Sequence, residues 1–108
     1  MATYVEVTIT YQSGVVKCSP DTVELHFNSP QGPDSVRWIL STGTSSLQPV
    51  FTWNQGCPFA TMRDDLTHRE VVGTDNKKVA GDYPYTVTLT NPQGQAVAGV
   101  DPAIRNHN

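Results

Sequence analysis

Charged side chains are scarce in this chain: Lys, Arg, Asp and Glu make up 16% of its 108 residues, and the formal net charge is −3. The seven basic residues form no run longer than Lys77-Lys78, so there is no basic stripe to neutralise a phosphate backbone. No stretch approaches the roughly 20 apolar residues that span a bilayer. The composition therefore predicts neither a nucleic-acid partner nor a membrane span.

Cysteine is also rare, and only Cys18 and Cys57 are present. They form no CxxC pair and are too few for a disulfide scaffold, which leaves two readings: a pair of buried thiols, or one long-range bridge formed in an oxidising compartment. The first residues have neither a basic nor an apolar signal region, which predicts a cytoplasmic protein. A mature periplasmic or secreted domain behind a new Met would have the same sequence, so that alternative stays open.

No nucleophile elbow, P-loop, dinucleotide fingerprint or HExxH helix occurs in the sequence. The densest titratable cluster comprises Asp64, Asp65, His68 and Glu70, and its spacing matches no calcium loop. A solvated surface loop is the plainer interpretation of such a cluster. We therefore expect a non-catalytic protein without a cofactor.

Apolar residues alternate with polar ones through much of the chain. Val5, Val7, Ile9 and Tyr11 share one face of the first predicted strand, and Trp38 is the predicted central core residue of a later one. Short strands separated by Gly, Pro and Asn turns predict an all-β fold, a single antiparallel Greek-key β-sandwich of about seven strands covering residues 1–108. Residues 63–70 have no clear stripe and are predicted to form a loop or a short helix.

Two stretches of the sequence resemble the cupredoxin pattern. One is Ser19-Pro20-Asp21-Thr22-Val23-Glu24-Leu25 with the later Asp34-Ser35-Val36-Arg37-Trp38, and the other is Gly81-Asp82-Tyr83-Pro84-Tyr85-Thr86-Val87. The resemblance implies a cupredoxin-like sandwich. A core Trp and a strand Tyr also occur in immunoglobulin-like domains, so that architecture is the alternative.

The differences from the cupredoxin pattern argue against the copper chemistry of that family. Val87 stands where the family has its Cys, and residues 88–94 contain neither His nor Met. Cys57, Met62, His68 and His26 supply ligand types for copper or zinc, but in an order and position that differ from the family's loop. A metal-binding protein built on these four residues is therefore the weaker alternative.

Binding is the remaining class of function. Trp53, followed by Asn54 and Gln55, is typical of a loop-edge aromatic that stacks a sugar or anchors a peptide, and Tyr4 is a candidate second stacking residue for a sugar. The other interpretation of Trp53 is a second core Trp. The sequence thus predicts a protein-interaction or self-associating module that uses a sheet edge or apolar patch, with a carbohydrate-binding module as the alternative.

The C-terminal tail resembles an Asp-Pro-x-Ile-x-Asn ending found in small bacterial sandwich proteins. We expect Ile104 to dock on the domain, and His107 and Asn108 to be disordered.

Overall fold

The structure is a computed structural model that describes residues 3–41, 46–65 and 68–108. The described residues form ten strands and no helix, and accordingly none of them belongs to a helix that would cross a membrane. The strands are β1 (Tyr4–Gln12), β2 (Val15–Ser19), β3 (Thr22–His26), β4 (Ser35–Leu40), β5 (Gln48–Trp53), β6 (Phe59–Asp65), β7 (Glu70–Asn76), β8 (Gly81–Thr90), β9 (Ala96–Val100) and β10 (Ala103–His107).

The strands form two mixed sheets. The order in the first sheet is β2-β1-β4-β7-β6, and in the second it is β3-β10-β8-β5, with β9 also pairing with β8. The pairs β1–β4 and β3–β10 are parallel, whereas the other pairs are antiparallel. The all-β prediction is confirmed, but the purely antiparallel arrangement and the count of about seven strands are corrected. Alternation of side chains identifies the faces of a strand and does not fix the direction of its neighbours.

Two local predictions also change. Residues 63–65 extend β6 and Glu70 begins β7, so these residues form strand rather than a loop or short helix, and residues 66–67 lie outside the described part. Ile104 is fully buried as expected. His107, however, is the last residue of β10 and pairs with His26 of β3, so it is ordered in a strand.

The core lies between the two sheets and is centred on Trp38 of β4, as predicted. Its ring is fully buried and makes edge contacts with Phe51, Trp53 and Tyr85 of the second sheet, at centroid distances between 4.8 and 6.3 Å. The Trp38 Nε1–H donates a hydrogen bond to the Tyr85 hydroxyl at 2.9 Å. A buried indole N–H requires such a partner, so this bond fixes how the two sheets face each other.

A second polar contact joins the sheets at one end. Asn106 of β10 is 2% exposed and exchanges two side-chain hydrogen bonds with Asn76 of β7, at 2.8 and 2.9 Å. The Asn106 amide also donates to the Val79 carbonyl at 3.1 Å, and the Asn76 amide donates to the Asp34 carbonyl at 3.2 Å. Because each strand belongs to a different sheet, the pair locks their register at this end.

Candidate functional site

Trp53 lies at the end of β5 with its indole half-buried against the core. The ring stacks on Tyr85 at a centroid distance of 4.7 Å and makes an edge contact with Phe59 at 6.4 Å. One face of the indole is therefore covered by Tyr85. The indole of Trp53 is therefore part of the core on one side and partly exposed to solvent on the other, between β5 and β6.

Asn54 and Gln55 are exposed in the turn that carries the chain from one sheet to the other. The Asn54 N–H donates to the Pro84 carbonyl at 3.2 Å, so the β5–β8 ladder continues one residue past Trp53. Gly56 follows with a φ of +92°, a left-handed conformation that glycine adopts without strain. The three predicted binding residues thus lie together, at the end of β5.

The four residues considered for a metal do not converge. Cys57 and Met62 are half-buried against the core, whereas His68 pairs with Asp65, its Nδ1 lying 2.8 Å from the carboxylate. That contact raises the pKa of His68 and lowers the pKa of Asp65. His26 lies elsewhere, stacked on His107 at 4.8 Å. Within residues 3–41, 46–65 and 68–108, no group of three or more His, Cys, Asp or Glu side chains is arranged to hold a metal ion.

Both cysteines are free thiols in the structure. Burial, with a smaller contribution from Asp21, raises the pKa of Cys18 to about 12, and burial also raises the pKa of Cys57. The Cys57 sulfur accepts a hydrogen bond from the Phe59 N–H at 3.4 Å, which partly offsets that effect. Since the thiolate is the form that binds metals and attacks electrophiles, neither thiol is activated.

The thiols should differ in their reactivity toward an alkylating reagent. We expect Cys57 to be labelled slowly in the native protein at mildly alkaline pH, and Cys18 only after unfolding, because Cys18 is buried and its pKa is about 12. Mass spectrometry of iodoacetamide-treated protein, with and without urea, measures this order. The Cys57→Ser variant is the control and should remain unlabelled in the native state; labelling of Cys18 at the same rate as Cys57 would contradict the prediction.

A small groove lies on the β1–β2 hairpin, away from all the predicted site residues. It measures about 220 Å³ and is lined by Thr10, Gln12, Ser13, Val15 and Lys17. Ligand sites usually measure about 300–1,000 Å³ and have a mostly apolar lining. This groove is smaller, and four of its five lining residues are polar, so it does not have the features of a ligand site.

The edges of the two sheets differ in charge. Sheets end at β2, β3, β5 and β6, and charged side chains on edge strands are the usual protection against pairing with another chain. Three of these strands carry such residues, namely Lys17 on β2, Glu24 on β3, and Arg63, Asp64 and Asp65 on β6. β5 carries none, and the whole segment of residues 46–56 has no charged side chain. β9 is also uncharged, but it lies beside β2 of the other sheet.

The backbone of β5 has unpaired groups at this edge. The Asn54–Pro84 hydrogen bond continues the antiparallel register, in which alternate residues bond to the same neighbour. Val50 and Thr52 therefore bond to β8, and the N–H and C=O groups of Phe51 and Trp53 point away from it. In the described part of the chain, no turn, loop or side-chain hydrogen bond uses these four groups. Pro49, two residues before Phe51, also points away from β8, but it has only a C=O group and no N–H.

Comparison of the chain with protein-family models and with curated proteins found no match. Sequence reasoning identified Trp53, Asn54 and Gln55 but not the strand edge beside them. The available signal was the lack of charge in residues 46–56, which becomes meaningful only once β5 is known to end a sheet.

Proposed function

We propose that this chain is a non-catalytic protein-interaction module that accepts an extended polypeptide strand along the edge of β5. The observation that carries the proposal is the uncharged edge at which the backbone groups of Phe51 and Trp53 lack partners. An incoming strand satisfies these groups with main-chain hydrogen bonds, which is how strand addition gains its affinity. The turn residues Asn54 and Gln55 flank the end of that edge.

Side chains next to the edge supply the apolar part of the interface. Phe51 and Trp53 on β5 are half-buried and pack on the core. A strand added beside β5 points alternate side chains toward these two residues, because successive side chains alternate between faces. The expected ligand is therefore an extended segment with apolar residues at every second position. Trp53 serves this partner better than a sugar, since Tyr85 already covers one face of its indole.

The proposal also concerns the type of β fold. We infer a β-sandwich of cupredoxin-like or immunoglobulin-like type, supported by the Trp38–Tyr85 contact between the sheets. Val87, at the position of the family's copper-binding Cys, is fully buried in the core. A valine side chain offers no ligand atom, which supports a role for this domain without a copper cofactor.

A defined peptide tests the proposal. The probe is a short synthetic peptide of alternating Thr and Val with Lys at each end, added to the isotopically labelled protein. We expect the amide NMR signals of Phe51 and Trp53 to shift most and their hydrogen exchange to slow, because these N–H groups become bonded. The signals of the other edge strands, β2, β3 and β6, should change little.

The matched control is the same peptide N-methylated at alternate positions, on the side that faces β5. It keeps the side chains but cannot donate main-chain hydrogen bonds, so we expect its binding to be lost. Equal binding of both peptides, or perturbation centred on β3 or β6, would overturn the strand-addition proposal.

A further inference from the structure

We infer that the strand accepted at this edge is β5 of a second copy of the chain, paired antiparallel about a two-fold axis that passes beside Thr52. The inference rests on the proposed function, since it names the partner of that same edge. Closed two-fold dimers are the commonest assemblies of a single chain, and they place the same surface on both sides. The edge must therefore be complementary to itself.

The backbone satisfies this condition in one register. With Phe51 opposite Trp53 of the second copy, and Trp53 opposite its Phe51, the N–H and C=O groups of both residues meet as hydrogen-bonded pairs. All the unpaired groups of Phe51 and Trp53 are then used in both copies. Pro49 falls opposite the second copy's Gln55, beyond the bonded pairs, so its missing N–H removes none of these bonds.

The side chains satisfy the same condition. On the inner face, Phe51 of each copy lies opposite Trp53 of the other, and cross-strand aromatic pairs of this kind are favourable. On the outer face, Thr52 meets Thr52 and Val50 meets Asn54. Two-fold pairing would place any charge near the axis beside its own like charge, and residues 46–56 have no charge. The edges at β2, β3 and β6 do not meet this condition.

Two other features of the molecule have less support as binding sites. The stacked imidazoles of His26 and His107, with Glu24 at 2.7 Å from His107 Nε2, form a polar cluster outside the edge. The contact with Glu24 accounts for the position of His107, stacking on His107 accounts for that of His26, and no metal-holding group is present in the described residues. The groove on the β1–β2 hairpin is small, at about 220 Å³.

A cysteine placed on the axis tests the register directly. In an antiparallel pair the residues between hydrogen-bonded positions have Cα atoms about 4.5 Å apart, inside the range of about 4.4–6.8 Å for disulfides. We expect the Thr52→Cys variant, made in a Cys57→Ser background, to form a disulfide-linked dimer on mild oxidation. The control is Val50→Cys in the same background. Val50 is 47% exposed, but the two copies of this residue lie four positions apart, about 14 Å along the strand, and should not cross-link.

Sedimentation equilibrium of the unmodified chain gives the second measurement. We expect a concentration-dependent dimer, weakened by roughly tenfold or more in Thr52→Lys, because that change places two ammonium groups beside each other on the axis. Thr22→Lys on the edge of β3 is the matched control and should leave the dimer unchanged.

The outcomes separate this inference from the function on which it rests. A chain that stays monomeric and does not cross-link through Thr52→Cys overturns the second-copy inference, while binding of the Thr-Val peptide would still support the strand-accepting edge. Cross-linking of Val50→Cys as efficient as that of Thr52→Cys overturns the register. If neither the peptide nor a second copy binds, both proposals are wrong.

Discussion

Replacing Trp38 with Phe should lower the free energy of unfolding by about 3 kcal/mol or more. The change removes part of a fully buried ring and leaves a cavity at the centre of the core. It also removes the donor of the 2.9 Å bond to Tyr85, and a buried hydroxyl without its partner costs about 1–3 kcal/mol. Urea unfolding followed by far-ultraviolet circular dichroism measures the effect without relying on tryptophan fluorescence.

Trp53→Phe is the matched control, since it makes the same chemical change at a ring that is only half-buried. Its expected cost is about 1 kcal/mol, because less surface is lost and no indole hydrogen bond is described for it. Tyr85→Phe should be destabilising alone, and the Trp38→Phe/Tyr85→Phe double variant should cost less than the two single changes added together. Equal losses for Trp38→Phe and Trp53→Phe would contradict the central role of the buried pair.

Side-chain alternation was enough to find most of the strands and the centre of the core. Val7 and Ile9 face inward as their spacing predicts, and Trp38 is completely buried. The same alternation could not predict β1 beside β4 in parallel, since pairing depends on contacts distant in the sequence. Residues 63–65 were missed as strand because their charged side chains break the apolar pattern. Such charges are common on an edge strand, where they discourage pairing with other chains.

The proposed binding edge shows a different limit of prediction from sequence. Trp53 stood out because an aromatic next to Asn and Gln is typical of binding loops, yet its indole packs largely on Tyr85. The groups that matter for the proposed function belong to the backbone of Phe51 and Trp53, and backbone groups have no sequence signature. They become candidates only when the topology places β5 at the end of its sheet. The residue types pointed to the segment around Trp53, whereas the strand order was needed to find its unpaired backbone groups.

Asn106 should be the second most sensitive position after Trp38. Asn106→Leu keeps a similar volume but removes both bonds to Asn76 and the donor to the Val79 carbonyl. It leaves the Asn76 amide partly unpaired in a site where Asn106 is 2% exposed, so we expect a loss of about 2–4 kcal/mol in the free energy of unfolding. Arg105→Leu, on the opposite face of the same strand, is the control, and its exposed ion pairs with Glu24 and Asp82 should contribute less than about 1 kcal/mol.

The double variant Asn76→Leu/Asn106→Leu distinguishes a specific bond from simple loss of polarity. Replacing both partners removes the unpaired amide, so the double variant should be more stable than the sum of the single changes predicts. Recovery should be incomplete, because Asn76 also donates to the Asp34 carbonyl and accepts from the Lys78 N–H at 2.8 Å. Strictly additive losses would show that the two amides act independently, and that this end of the two sheets is held by packing around Ile104 rather than by this pair.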